Sequence, residues 1–140
     1  MKPLGLHNSN TPVEMGESDY FCPPEYRSLI DSMEYNVLVE VTDDDYQGDS
    51  RFLLKDPSTN KYGYLIFGWG SCSGCDALED CHSIEEVTQL RDELHAGITW
   101  FTTKEETKMF FETHDWKGDY MHEEDTEEFV KIAMARLEKE

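Results

Sequence analysis

A run of fourteen residues, 62–75, carries no charged side chain, although charged residues make up 31% of the chain. In a chain so rich in charge, we expect such a stretch to be buried or to face another apolar surface. Its first half, YGYLIFGW at 62–69, is rich in aromatic residues, which favour a strand. Because apolar residues fall on both of its faces, the strand is expected to lie centrally in a sheet.

The two segments before this run also predict strands. Residues 36–42 place a valine at every second position, Val37, Val39 and Val41, which is the period of a strand. Residues 51–55 predict a second strand, and short polar turns separate the three segments. Consecutive strands joined by short turns usually pair in antiparallel order, so we expect a β-meander.

Helix-start signals follow the strands. Ser83 and Glu86, and again Thr103 and Glu106, have the spacing of a capping box, in which two side chains bind backbone N–H groups at the start of a helix. Apolar residues then recur at intervals of three and four. The predicted helices cover 83–95, 104–114 and 126–138, and Phe129, Val130, Ala133 and Leu137 of the last one are expected to face inward.

Together these elements predict a single domain over residues 1–140, of the α+β class. The expected architecture is a small antiparallel β-meander followed by, and packed against, about three helices. Residues 25–33 predict a short additional helix, and residues 98–101 a short strand. Residues 1–24 contain prolines and show little periodicity, so we expect an irregular N-terminal arm.

The charge balance excludes some partners and favours others. The chain has 31 Asp and Glu residues against 12 Lys and Arg residues, a formal net charge of −19. Such a field repels nucleic acid and anionic membranes and attracts basic proteins. No stretch approaches the ~20 apolar residues that span a membrane, and the N-terminal MKPLGLHN shows no secretory signal. The sequence therefore predicts a cytoplasmic protein that contacts neither nucleic acid nor membrane directly.

Three of the four cysteines lie in one glycine-rich segment, GWGSCSGCDALEDCH at 68–82. A zinc interpretation takes Cys72, Cys75 and Cys81 as ligands, with Cys22 as the fourth or His82 in its place. Zinc binds four such ligands in a tetrahedron, and two cysteines separated by two residues on a tight turn supply two of them. Without a secretory signal, thiols or metal ligands are expected rather than disulfides.

Two other interpretations of this segment stay open. A Cys72–Cys75 pair between a strand and a helix start favours a reactive thiolate, as in redox motifs. Alternatively, the small residues allow a tight buried turn, and the thiols fill the core as small apolar groups. No nucleotide-binding loop and no serine-hydrolase or metalloprotease pattern accompanies the segment, so the sequence favours a non-enzymatic protein.

Two dense runs of carboxylates are candidates for binding a partner. One occupies the polar turn after the first strand. The other lies at the start of the last helix, where the helix dipole favours negative charge. Both runs are expected to be exposed. Their residues are Asp43, Asp44, Asp45 and Asp49 in the turn, and Glu123, Glu124, Asp125, Glu127 and Glu128 at the helix.

Four segments of the chain resemble a family of small uncharacterised proteins from bacteria and their phages. They are DYQGDSRFLL (45–54), YLIFGWGSCSGCDALEDC (64–81), EVTQLRDELHAGITW (86–100) and HDW (114–116). The resemblance extends over roughly residues 36–130 and brings no established activity, so it assigns no catalytic residue. It implies a phage or mobile-element context, in which small accessory proteins often bind host machinery.

The sequence thus favours three classes of function, in this order. The first is an acidic binding protein, a phage-type inhibitor or nucleic-acid mimic that occupies a basic surface of a host nucleic-acid-handling protein in the host cytoplasm. The second is a small zinc- or thiol-dependent enzyme or sensor centred on Cys72, Cys75 and Cys81. The third is a structural or virion-associated protein that uses the uncharged segment as an assembly interface.

Overall fold

The computed structural model describes residues 13–15, 22–43, 48–70, 76–116 and 123–140. Within this part of the chain, helices flank a five-stranded mixed sheet, which confirms the predicted α+β class. The strands are β1 (Glu14–Met15), β2 (Asn36–Thr42), β3 (Gly48–Lys55), β4 (Tyr62–Trp69) and β5 (Thr99–Phe101). The helices are α1 (Pro24–Asp31), α2 (Ile84–Ala96), α3 (Lys104–Thr113) and α4 (Glu123–Lys139).

The predicted meander forms the middle of the sheet. The strand order is β1-β2-β3-β4-β5, and β2, β3 and β4 pair in antiparallel order. The central position expected for β4 is confirmed in that β4 lies inside the sheet, between β3 and β5, although β3 is the middle strand of the five. β4 pairs with β5 over Tyr62–Tyr64, and this half of β4 is buried, while its second half is more exposed. Apolar residues on both faces of β4 therefore reflect an interior strand that is covered on both sides, with Leu65 in one core cluster and Tyr64 in the other.

The N-terminal arm is not irregular throughout. Glu14 and Met15 form β1, which pairs in parallel with Val39 and Glu40 at the edge of the sheet. This pairing brings together residues about 25 positions apart, so local sequence patterns give no sign of it.

Alternate strand residues divide the core between the two faces of the sheet, as the two-residue period of a strand requires. Phe52 and Leu54 of β3 pack on one face with Ile30 of α1 and Leu94 of α2. On the other face, Leu53 packs with residues of α3 and α4. The described residues therefore form three layers, with the sheet between an α1–α2 layer (residues 22–34 and 76–97) and an α3–α4 layer (residues 104–116 and 123–140).

Both predicted capping boxes are present. The Ser83 hydroxyl accepts a hydrogen bond from the Glu86 N–H at 3.1 Å, and the Thr103 hydroxyl accepts one from the Glu106 N–H, also at 3.1 Å. Each glutamate carboxylate in turn binds the backbone N–H of the residue before the cap, His82 or Thr102. None of the described helices is long and apolar enough to cross a membrane.

Candidate functional site

Asp76 closes the base of the cysteine segment. Its Oδ2 accepts a hydrogen bond from the Gly70 N–H at 2.7 Å, and its Oδ1 accepts hydrogen bonds from the N–H groups of Leu78 at 2.9 Å and Glu79 at 3.0 Å. The Tyr26 hydroxyl of α1 donates a third hydrogen bond to Oδ1 at 3.0 Å. One buried carboxylate thus joins the end of β4 to the start of the following turn and ties both to α1. Sequence reasoning did not single out Asp76, because an aspartate that binds nearby N–H groups is common in turns, and its one distant partner, Tyr26, lies 50 residues away.

A cavity of about 370 Å³ lies beside this carboxylate. Pro23 and Leu78 form apolar walls, and the exposed Glu25 and Glu79 stand at its edge. Tyr26 also lines the cavity; burial raises the pKa of its phenol above the ordinary range, and the adjacent Asp76 carboxylate raises it further. Tyr26 therefore stays a neutral hydrogen-bond donor to Asp76.

Cys22 lies in the core and not at an open site. Its side chain packs in the cluster that contains Tyr26 and Ile30, and its backbone N–H donates to Glu40 Oε2 at 2.8 Å. Burial raises the pKa of the Cys22 thiol to about 12, although the Ser50 side chain lowers it by a hydrogen bond. Because the thiolate is the reactive form, burial of the neutral thiol disfavours reaction of Cys22 at neutral pH.

Cys81 follows the turn that Asp76 organises, and it is partly exposed. Desolvation raises its pKa, and the carboxylates of Glu86, Asp80 and Asp76 raise it further. Its thiol donates a hydrogen bond to the Ala77 carbonyl at 3.3 Å. A negative environment of this kind disfavours a thiolate, which does not support a redox role for Cys81.

The zinc and redox predictions depend mainly on Cys72 and Cys75, which lie outside the described residues. In the part of the chain that the structure describes, no three His, Cys, Asp or Glu side chains gather closely enough to hold a metal ion. His82 is exposed and follows Cys81 directly. The zinc interpretation therefore stays a prediction.

The exposure expected for the acidic turn is wrong at Asp43. Its side chain is fully buried and forms an ion pair with Arg51, Oδ1 to Nη1 at 2.7 Å, in which both side chains are 0% exposed. Its Oδ2 also accepts a hydrogen bond from the Asp49 N–H at 2.7 Å. Arg51 points into the core and requires a counter-charge there, so Asp43 supports the fold and is inaccessible to a partner. Sequence reasoning missed this pairing because aspartates are common in turns, whether the turn is exposed or buried.

The other predicted partner-binding carboxylates are in varied surroundings. Asp49 is half-buried. At the start of α4, Glu124 and Glu127 are exposed, and Asp125 and Glu128 are half-buried. Asp44, Asp45 and the side chain of Glu123 lie outside the described residues. Glu124 and Glu127 are therefore the members of the two runs that the structure places fully on the surface.

A larger acidic surface lies on the α1–α2 layer. This layer contains ten carboxylates, two arginines and no lysine. Neither arginine is free, since Arg27 binds Asp31 and the buried Glu40, and Arg91 binds Ser32 and Asp92. The exposed carboxylates are Glu25, Asp31, Glu34, Glu79, Asp80, Glu85, Glu86, Asp92 and Glu93. We call these nine residues the acidic face. The dense charge of residues 76–93 was the available sequence signal for it.

Some members of the acidic face lie at positions where the helix dipole or the backbone conformation is unfavourable for them. Asp31 ends α1 and Glu93 begins the last turn of α2, where the negative end of the helix dipole opposes a carboxylate. Glu34 has a φ of 65°, a left-handed conformation that favours glycine or asparagine. Asp31 is compensated by its ion pair with Arg27, and Glu93 accepts a hydrogen bond from Gln89. Glu34 has no such partner within the described residues, and residues that oppose local preferences without an evident structural gain often mark functional positions.

No family model, no curated protein and no solved structure matches the chain.

Proposed function

We propose that this chain is a non-enzymatic acidic binding protein whose acidic face occupies a basic surface of another protein. In its concrete form it is a phage-type accessory inhibitor or nucleic-acid mimic, and the partner is a host protein that handles nucleic acid. The observation that carries the proposal is the acidic face itself, with nine exposed carboxylates on a layer that has no lysine.

The physical basis is competition for a basic cleft. Carboxylates fixed on helices present negative charge at set positions, as the phosphates of a nucleic acid do, and they accelerate association by electrostatic steering. Ile84 adds an apolar contact beside these charges, because its side chain is 81% exposed at the start of α2. Interfaces of this kind commonly combine apolar anchors with a charged rim.

The test uses a fluorescent DNA duplex bound to purified basic DNA-binding proteins from a bacterial host. Displacement of the duplex by this protein is measured between ~0.1 M and ~1 M salt, over which the screening length falls from about 10 Å to about 3 Å. We expect at least one protein to release the duplex, and we expect its affinity for the chain to fall steeply with salt. A panel without displacement, or an affinity independent of salt, contradicts the proposal.

Two charge-matched variants locate the binding surface. The first carries Glu85→Gln, Asp92→Asn and Glu93→Gln on the acidic face. The second carries Glu105→Gln, Glu124→Gln and Glu127→Gln on the α3–α4 layer. We expect the first to weaken binding about five- to tenfold and the second by less than about twofold, since each rim charge contributes only a few tenths of a kcal/mol to about 1 kcal/mol. The reverse order moves the binding surface to the start of α4.

The zinc- or thiol-dependent alternative is tested separately. Elemental analysis of protein purified without chelator decides whether Cys72, Cys75 and Cys81 hold a metal ion. Less than about a tenth of an equivalent of zinc contradicts that alternative, since a structural zinc site is filled stoichiometrically.

A further inference from the structure

The cavity beside Asp76 has a chemical character that the acidic face alone does not have. Its walls are the apolar surfaces of Pro23 and Leu78, its edge carries the carboxylates of Glu25 and Glu79, and Asp76 lies within it. A pocket with apolar walls and a few convergent polar groups is the usual form of a binding site. A ligand that matches these walls and carboxylates has a long apolar chain with a cation at its end.

Asp76 has acceptor capacity left for such a ligand. Three donors use its Oδ1, whereas its Oδ2 accepts one hydrogen bond, from Gly70, within the described residues. The residue is 5% exposed, so its carboxylate is held in a setting of low dielectric. A cation that enters the cavity would therefore meet a fixed, partly desolvated carboxylate as well as the two at the edge.

Size and geometry favour arginine. A cavity of about 370 Å³ accommodates one long side chain, whose methylene groups can pack against Pro23 and Leu78. A guanidinium presents five donors in a planar fork, which can bind two or more carboxylates at once, whereas an ammonium acts as a point charge. Arginine is also among the residues that most often dominate the free energy of binding at an interface.

We propose that the cavity lined by Pro23, Glu25, Asp76, Leu78 and Glu79 binds one arginine side chain of the partner. This inference rests on the proposed function and gives it a point of specificity. The acidic face steers many basic surfaces toward the protein, and the cavity selects those that present an arginine at the right position.

The test measures binding of a capped tripeptide, alanine–arginine–alanine, by amide chemical shifts in NMR spectra of the full chain. The matched ligand replaces arginine with citrulline, which keeps the size and hydrogen-bonding shape but has no charge. We expect the arginine peptide to shift the amides of Gly70, Leu78 and Glu79 saturably. The citrulline peptide should bind at least about tenfold more weakly, because a hydrogen bond to a charged group contributes about 1.5–3 kcal/mol.

Two variants separate the cavity from the general field of the acidic face. Glu25→Gln with Glu79→Gln removes the edge carboxylates, and we expect it to weaken arginine binding about tenfold. Glu34→Gln with Glu85→Gln removes the same charge from the acidic face outside the cavity, and it should change the affinity less than about twofold. Asp76 is left unchanged because it holds the surrounding backbone.

Equal shifts with arginine and citrulline overturn this inference, as does an equal loss of affinity in the two variants. If the affinity for a basic protein still falls with salt in that case, the proposed function stands without an arginine pocket. If arginine binds at the cavity but no basic protein displaces DNA, the pocket stands and the proposed function fails.

Discussion

The two helical layers cover opposite faces of one sheet, yet they handle charge differently. In the α3–α4 layer, acids begin α4 and Arg136 and Lys139 end it, the order that the helix dipole favours. Lys108 also pairs with Glu138 across the two helices of this layer. In the α1–α2 layer no lysine is present, and acids lie near the C-terminal ends of the helices. The α3–α4 layer therefore balances the charge of its helix ends, whereas the α1–α2 layer carries exposed acids at both ends of its helices and has no lysine to offset them.

The removal of a buried acid that supports the fold should destabilise the protein most. Asp43→Asn leaves the Arg51 guanidinium fully buried without its counter-charge, and Arg51 Nε and Nη2 already have no hydrogen-bond partner among the described residues. We expect the free energy of unfolding to fall by about 3–5 kcal/mol, measured by urea denaturation.

Asp31→Asn on the acidic face is the matched control for this prediction. Its ion pair with Arg27 is solvent-exposed and spans one helical turn, so its loss should cost no more than about 0.5 kcal/mol. Equal losses in the two variants would show that Asp43 has no special structural role.

The second prediction concerns alkaline stability of the α1–α2 side, where Cys22 is buried. Its pKa is raised from 9.0 to about 12, so its contribution to stability is complete below pH 9 and is lost as the pH rises toward 12. In that window, the stability of the native protein should fall more steeply than that of Cys22→Ala, by about 1.4 kcal/mol per pH unit.

Tyrosine titration changes the free energy of unfolding of the native protein and of Cys22→Ala alike, so it cancels in the difference between them. Cys81→Ala serves as the control, since Cys81 is not part of the core and should leave the slope close to that of the native protein. Parallel pH curves for the native protein and Cys22→Ala would contradict the burial of an unionised thiol at this position.

The smallest expected effect lies at the other end of the pH scale, in the α3–α4 layer. Burial raises the pKa of Glu140, but hydrogen bonds from Lys55 and Arg136 outweigh it and lower the pKa below 4.5. The stability from this group is therefore present above pH 4.5 and is lost as the pH falls through the lowered pKa. Glu140→Gln should cost up to about 1 kcal/mol at pH 7.

The measurement is urea denaturation of native protein and Glu140→Gln from pH 7 to pH 3. The difference between the two proteins should shrink as the solution becomes acid. Glu34→Gln on the acidic face, which has no ion-pair partner within the described residues, should show no such loss at pH 7. A cost for Glu140→Gln that does not change with pH would mean that the ion pairs with Lys55 and Arg136 contribute nothing.

The sequence alone determined the elements that depend on local interactions. The three strands of the meander and both capping boxes were predictable, because strand-forming composition and a four-residue cap are properties of neighbouring residues. The shared face that alternation gives to the valines of β2 was not, because a bulge between Val37 and Val39 places Val37 on the opposite face from Val39 and Val41. The inward face of α4, with Phe129, Ala133 and Leu137 fully buried, followed from helical spacing in the same way.

Only the tertiary structure decided which acids are structural and which face solvent. Asp43 and Asp76 look like ordinary turn residues in the sequence, but Arg51 and Tyr26, which reach them from other elements, make them buried hubs. The acidic face likewise forms because α1 and the residues from 76 onward, far apart in the chain, pack on one face of the sheet. The strength of a charge's interactions depends on its distance from other charges and on its burial. The number of charges therefore follows from the sequence, and the role of each charge follows from the fold.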